Sequence, residues 1–165
     1  MRFVLFNENH MDLLLAWLAK PHVRNNWQEE GDRARIWEKY RTLPDRGVHP
    51  FVIEDPEPIG YIQYYEASKV GGGWWPDEKP GAFGIDLLIG DESKTGQGLG
   101  PEIIEKFLEF VCEREKNVTS FIIDPDPKNE RAVKAFEKAG FVREAEITTP
   151  GGAALLMRKR TTSRR

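Results

Sequence analysis

Two features of this 165-residue sequence place chemically useful residues at informative spacing. The first is Thr95-Gly96-Gln97-Gly98-Leu99-Gly100, where three alternating glycines stand between a β-rich apolar run, Phe83–Ile89, and a helical pattern opening at Pro101. Such a turn exposes backbone N–H groups at a helix N-terminus, where the dipole also favours negative charge, so a phosphate-bearing ligand is its natural tenant. The Walker pattern fails because no Lys-Ser/Thr pair follows. The dinucleotide fingerprint G-x-G-x-x-G fails because Pro101 stands where its third glycine belongs. The second feature is Asp86, which interrupts the Phe83–Ile89 run. A carboxylate there costs free energy unless it is paired or used. It is either tied to a nearby amide or arginine, or it is a working group.

Other residues gather around these two. Trp74 and Trp75 sit in the glycine-rich stretch Gly71-Gly72-Gly73-Trp74-Trp75-Pro76. A sugar ring or an ammonium can stack on an indole, with roughly 0.5–2 kcal/mol for a cation. The expectation is that one tryptophan lines a cleft and the other packs. Trp27, Gln63 and Tyr65 are candidates for the same cleft. Asp124 ends the strand pattern Val118–Ile123, where it is either a cleft carboxylate or a cap in Asp-Pro-Asp-Pro, and Asp126 reads as turn chemistry.

The elements that must position these groups follow from periodicity. Met11–Lys20 carries Leu14, Leu15, Trp17 and Leu18 at helical spacing and is expected to stop at Pro21. Asp32–Arg41 is a second helix with Ile36, Trp37 and Tyr40 on one face. After a loop through Pro44, Gly47 and Pro50, Phe51-Val52-Ile53 forms a short strand. The turn Asp55-Pro56-Glu57-Pro58 joins it to Ile59–Glu66 in a hairpin. Pro101 is expected at the first helical position, in a helix running to about Glu115. Asn129 caps a helix through Lys138 that ends at Gly140, and Phe141–Thr148 and Ala153–Lys159 close the chain. The strand–helix–strand–helix order in the middle implies an α/β (α+β) fold whose mixed sheet holds a parallel pair.

Composition sets the outer limits. With 39% hydrophobic residues, 165 residues suit one domain, 1–165, closed by a basic tail, 158–165. Leu13–Ala19 is too short to span a membrane, and Asn7, Glu8 and Asn9 stand where a signal peptide would be apolar. One cysteine, Cys112, suits a reducing compartment, so a cytoplasmic location is expected. A net charge of −3 argues against a nucleic-acid partner, and Arg158-Lys159-Arg160 with Arg164-Arg165 reads as a solvated terminus. His10, His22 and His49 are scattered, so no metal site is expected. The expected partner is a small molecule, bound by a monomer or homodimer.

At this point the motifs converge on a family. The glycine turn Thr95–Gly100 resembles the pyrophosphate loop of the GNAT acetyltransferases. Asn129-x-x-Ala132-x-x-x-Phe136-x-Lys138-x-Gly140-Phe141 resembles their next block. Glu57-Pro58-Ile59-Gly60-Tyr61, Gly73-Trp74-Trp75, Gly84-Ile85-Asp86, Asp124–Asn129 and Thr148-Thr149-Pro150 resemble the aminoglycoside 6′-N-acetyltransferase branch. The resemblance implies a GNAT fold, with a central twisted mixed sheet, a splayed parallel strand pair and about four helices. It implies acetyl-CoA as donor and a primary amine as acceptor, most simply the 6′-amine of an aminoglycoside. It would place the diphosphate on Thr95, Gly96, Gln97, Gly98, Leu99 and Gly100, and pantetheine along Leu87, Leu88 and Ile89 with Asn129. Asp86 and Asp124 would serve the acceptor amine. Three departures stand out. Phe136 replaces a tyrosine that protonates the departing thiolate in many members. Thr95 replaces the usual Arg or Gln. Gly72 and Gly151 stand where the aminoglycoside branch carries aspartates. A siderophore precursor or polyamine as acceptor, or a non-catalytic CoA-binding module, therefore stays open.

Overall fold

Seven strands follow one hydrogen-bonded order in the computed structural model, which describes residues 1–70, 78–95 and 98–162. They are β1 (Arg2–Leu5), β2 (Val48–Glu54), β3 (Pro58–Glu66), β4 (Ala82–Ile89), β5 (Ser120–Ile123), β6 (Val142–Thr149) and β7 (Gly152–Arg160). The order is β1-β2-β3-β4-β5-β7-β6, with β4 and β5 parallel as the strand–helix–strand pattern requires. Among the described residues five α-helices accompany the sheet: α1 (Met11–Leu18), α2 (Pro21–Arg24), α3 (Arg33–Arg41), α4 (Leu99–Arg114) and α5 (Glu130–Lys138). The chain divides into two compact units, Met1–Tyr64 with Asp86–Thr95, and Tyr65–Ile85 with Gly96–Arg165.

In the first unit, β1 pairs antiparallel with β2 from Arg2↔Glu54 to Leu5↔Phe51. The β1 strand is absent from the sequence expectation. Pro50 lies inside β2 rather than in the preceding loop. It sits one residue beyond the last β1–β2 pair, where its carbonyl accepts from the Phe6 N–H at 3.0 Å and the reciprocal bond cannot form, so the ladder ends there. Pro21 does not simply stop α1. It opens the short helix α2, where a residue without an N–H is tolerated at the first position. Asp32 caps α3 by accepting from the Arg35 N–H, and α3 buries Ile36 and Tyr40. Phe6, Tyr40 and Tyr61 form an aromatic cluster with ring centroids 5.5–5.6 Å apart, and Tyr61 is fully buried.

In the second unit, the parallel pairing runs from Ala82↔Ser120 to Gly84↔Ile122, and β5 and β6 each pair antiparallel with β7. The α4 helix buries Ile103, Ile104, Phe107, Leu108 and Val111, an apolar stripe at helical spacing. Pro101 is its third residue, not its first. The N–H groups of the whole first turn lack intrahelical acceptors, so proline is tolerated there as well. Asn129 caps α5 through the Ala132 N–H, and Gly140 follows with φ +97°.

The C-terminal basic residues also depart from expectation. Arg158-Lys159-Arg160 belong to β7, paired with Ser120–Ile122 of β5, rather than to a solvated tail. Arg158 is 14% exposed and bonds Glu78 at 2.5 Å, Glu144 at 2.8 Å and the Ser120 hydroxyl at 3.0 Å. Lys159 donates to the Ala139 carbonyl at 2.7 Å.

Candidate active site

The first unit holds a cleft of about 300 Å³ whose lining includes Trp27, Glu29, Lys39, Tyr40, Gln63 and Asp86. These six residues arrive from four pieces of chain. Asp86 comes from β4, Gln63 from the facing strand β3, Tyr40 and Lys39 from α3, and Trp27 and Glu29 from the segment between α2 and α3. Two aromatic rings and three ionisable groups therefore share one small space.

A directed chain of hydrogen bonds fixes Asp86. The Tyr61 hydroxyl donates to Gln63 Oε1 at 2.7 Å, which turns the amide so that Gln63 Nε2 donates to Asp86 Oδ2 at 3.0 Å. Burial raises the Asp86 pKa from its ordinary value, and the Gln63 hydrogen bond opposes the rise without cancelling it. Burial also pushes the Tyr61 phenol far above its normal range, with the charges of Asp86 and Glu29 adding to the effect. Tyr61 thus stays a donor at any pH the protein meets.

A second network lies opposite. Trp27 packs edge-on to Tyr61 at 5.6 Å and donates through Nε1 to the Tyr40 hydroxyl at 3.1 Å. The Tyr40 pKa is raised, first by burial and then by the charge of Glu29. Glu29 gives Oε1 to the Lys39 ammonium, while its Oε2 is buried and makes no hydrogen bond. The site residues missed by the sequence expectation are Glu29, Lys39, Tyr40 and Tyr61.

Gly98 is the N-cap of the 16-residue helix α4, with φ +76°, no side-chain cap, and open space where a Cβ would stand. Thr95 hydrogen-bonds the Glu92 carbonyl through Oγ1 at 2.7 Å. Gly100 faces Ala135, where an added Cβ would make ordinary contact at 3.6 Å. Gly96, Gln97, Trp74 and Trp75 lie outside the described residues. Leu88 is buried, Leu87 and Ile89 are half-buried, and the Ile89 carbonyl accepts from His22 Nε2 at 2.8 Å.

Asp124 follows β5 directly and is half-buried. Phe136 is buried edge-on against Phe141 at 5.3 Å. Tyr65, expected at the cleft, lies against Gly84, where any Cβ would fall within 3.0 Å of its ring. Among the described residues no group of His, Cys, Asp and Glu could hold a metal ion, and no helix is long and apolar enough to cross a membrane.

Comparison with known proteins agrees with this layout. The model of the acetyltransferase (GNAT) domain matches residues 7–149. Aminoglycoside N(6′)-acetyltransferase type 1 of Klebsiella pneumoniae is 38% identical over 160 residues, covering 93% of this chain and 79% of the relative. The kanamycin resistance protein of Rhizobium radiobacter is 40% identical over 87 residues, covering 52% of this chain and 80% of that protein. The crystal structure of aminoglycoside acetyltransferase AAC(6′)-Ib in complex with coenzyme A and kanamycin superposes with a TM-score of 0.88 at 36% identity, over 96% of this chain and 93% of that one. With the family model spanning nearly the whole chain and that relative aligned almost end to end, this protein belongs to the GNAT acetyltransferase family.

Proposed function

We propose that this enzyme transfers an acetyl group from acetyl-CoA to a primary amine of an aminoglycoside, most specifically the 6′-amine, in the cytoplasm and as a monomer or homodimer. The observation that carries the proposal is Asp86: a carboxylate of raised pKa, aimed by Gln63 into a cleft walled by Trp27 and Tyr40. Its chemistry answers what the reaction demands. An alkylammonium has no lone pair and must lose a proton before its nitrogen can attack a thioester. A carboxylate at an ordinary pKa is a weak base for that proton, and burial improves it. Gln63 orients the accepting oxygens, and Tyr61 holds Gln63 in the one amide orientation that donates to Asp86.

The donor residues fit a diphosphate-bearing substrate. At the start of α4, Gly98 leaves the N–H groups of Leu99 and Gly100 without an intrahelical acceptor, and no side chain caps them. Thr95, Gly96 and Gln97 would complete that loop, with Leu87, Leu88, Ile89 and Asn129 serving the pantetheine arm. Acetyl-CoA supplies the activated acyl group. The ammonium gives one proton to Asp86 or through it to water, a nitrogen–carbon bond forms, the carbon–sulfur bond breaks, and the second nitrogen proton leaves to water as the amide forms. Phe136 has no proton to offer the departing thiolate, which is therefore protonated by solvent. Asp124 would meet a second ammonium of the acceptor, and Trp74 and Trp75 would stack on its sugar rings.

The test is free-thiol release from acetyl-CoA with kanamycin, tobramycin, hydroxylysine and spermidine as acceptors. Release with the two aminoglycosides alone is the expected result, confirmed by locating the acetyl group on the 6′ nitrogen by NMR. Release only with another amine would leave the acetyl transfer and remove the aminoglycoside. Acetyl-CoA binding with no release on any amine would remove the enzymatic proposal.

A further inference from the structure

The cleft contains a carboxylate that the proposed chemistry does not use. Glu29 is only 5% exposed, and its Oε1 is paired with the Lys39 ammonium, which is 53% exposed. The other oxygen, Oε2, is buried without a hydrogen-bond partner, although a carboxylate accepts on both oxygens and pays for any left dry. The Tyr40 phenol lies close enough that both the charge of Glu29 and a side-chain hydrogen bond to it raise the Tyr40 pKa, while Oε2 itself meets no partner in good hydrogen-bonding geometry. The asymmetry of the ion pair matters. Lys39 is 53% exposed and has solvent as an alternative partner, and its ammonium also lies 5.9 Å from the centre of the Tyr40 ring. Glu29 has no such alternative. Asp86 and Glu29 both act on the phenols of Tyr40 and Tyr61, so their negative fields overlap within one cleft.

We infer that Glu29 is a second cation-binding carboxylate of the cleft and that Lys39 is its resident counter-ion, displaced by a substrate ammonium. The acceptor is then an amino sugar with at least two separated ammonium groups, one reacting at Asp86 and one anchored at Glu29. This rests on the acetyltransferase reading above. It differs from a plain structural salt bridge in the sign of one effect. If the pair only tied the Glu29 segment to α3, removing either partner would harm the site alike. If Lys39 competes with substrate, removing it improves binding.

The experiment compares wild type, E29Q and K39M, each confirmed folded by circular dichroism melting. Kanamycin is the polycationic acceptor and 6-amino-6-deoxyglucose the monoamine control. Thiol release gives kcat and KM, and calorimetry gives kanamycin binding independently of turnover. E29Q is expected to raise KM for kanamycin about tenfold, equivalent to about 1.4 kcal/mol, with a much smaller change in kcat and in KM for the monoamine. K39M is expected to lower KM for kanamycin severalfold. Unchanged KM in E29Q, or a KM raised in K39M, would overturn the inference while wild-type turnover kept the acetyltransferase reading. Kanamycin binding without thiol release, weakened in E29Q, would keep the cation site and remove that reading. Neither binding nor release in wild type would overturn both.

Discussion

Replacing Asp86 by asparagine separates the working role of this carboxylate from its structural cost, because the two effects have opposite signs. Burial raises the Asp86 pKa above the ordinary value of 3.8, and the Gln63 hydrogen bond offsets only part of that rise. In the unfolded chain the group titrates normally. A group whose folded pKa lies above its unfolded one contributes stability that is fully present below the unfolded value and is lost as pH rises through the folded value. Once ionised, Asp86 therefore works against folding. Asparagine keeps an oxygen that accepts from Gln63 Nε2 and removes the buried charge. Its own amide gives back part of the gain, leaving a net stabilisation of about 1 kcal/mol, within the usual range for relieving an active-site cost. For a chain of this length that is a rise in melting temperature of roughly 2–4 °C.

The assay is paired. Melting curves of wild type and D86N at intervals between about pH 3 and pH 9 should diverge as pH rises above the ordinary Asp value of 3.8, with D86N the more stable. Thiol release should fall by about two orders of magnitude or more, the usual contribution of a positioned base. A variant that melts lower than wild type throughout would show that the carboxylate is a satisfied structural group, and so would a difference that does not change with pH. Turnover within tenfold of wild type would refute the base. The combination of lost activity and gained stability is what a purely structural aspartate cannot produce.

Three further outcomes follow from the same geometry. Gln63→Leu removes the one hydrogen bond that lowers the Asp86 pKa, so the acid limb of the kcat/KM profile should move to higher pH; an unmoved limb would disconnect Gln63 from the base. Gly60→Ala places a Cβ within 3.0 Å of the Leu88 carbonyl oxygen, and backbone cannot swing aside as a side chain can. That strain should cost about 1–3 kcal/mol in urea unfolding, with a raised KM for acetyl-CoA; full stability would show that the strands separate freely. Arg158→Met leaves Glu78, 13% exposed, without its cation and should cost about 3–5 kcal/mol. A change under 0.5 kcal/mol would mean that Arg158 behaves as the solvated terminus its neighbours suggest.

Much of the frame can be read in the sequence because local signals determine it. Asp32 and Asn129 are caps whose acceptors lie three residues away, and the parallel pair follows from strand–helix–strand order. Asp86 stands out because it breaks an apolar run. What is not legible depends on partners far along the chain. The β1 strand has only four residues, with exposed ends, and is held by pairing with residues 51–54. Arg158 looks like part of a basic terminus because its acid partners are 80 and 14 residues away in sequence.

The cleft itself was the hardest part to foresee, for a physical reason. Tyr40 and Tyr61 carry apolar bodies that complete the core and polar tips that reach the site, so periodicity marks Tyr40 correctly as a core residue and stops there. Trp27 donates its N–H to Tyr40, thirteen residues later, a pairing that no local spacing encodes. Glu29 sits beside Glu30 in a charged stretch, and only folding makes the first nearly buried and leaves the second exposed. A substrate cleft cut into the side of an aromatic core must recruit such residues. Its rings have to satisfy the core before their edges can serve the ligand, and its second carboxylate has to be buried before it can compete with water for an ammonium. The functional signal of Glu29 thus lies in its buried Oε2, which is set apart only once α3 has brought Lys39 to Oε1 and the Tyr40 phenol close to the carboxylate, with no partner in good hydrogen-bonding geometry at Oε2 itself.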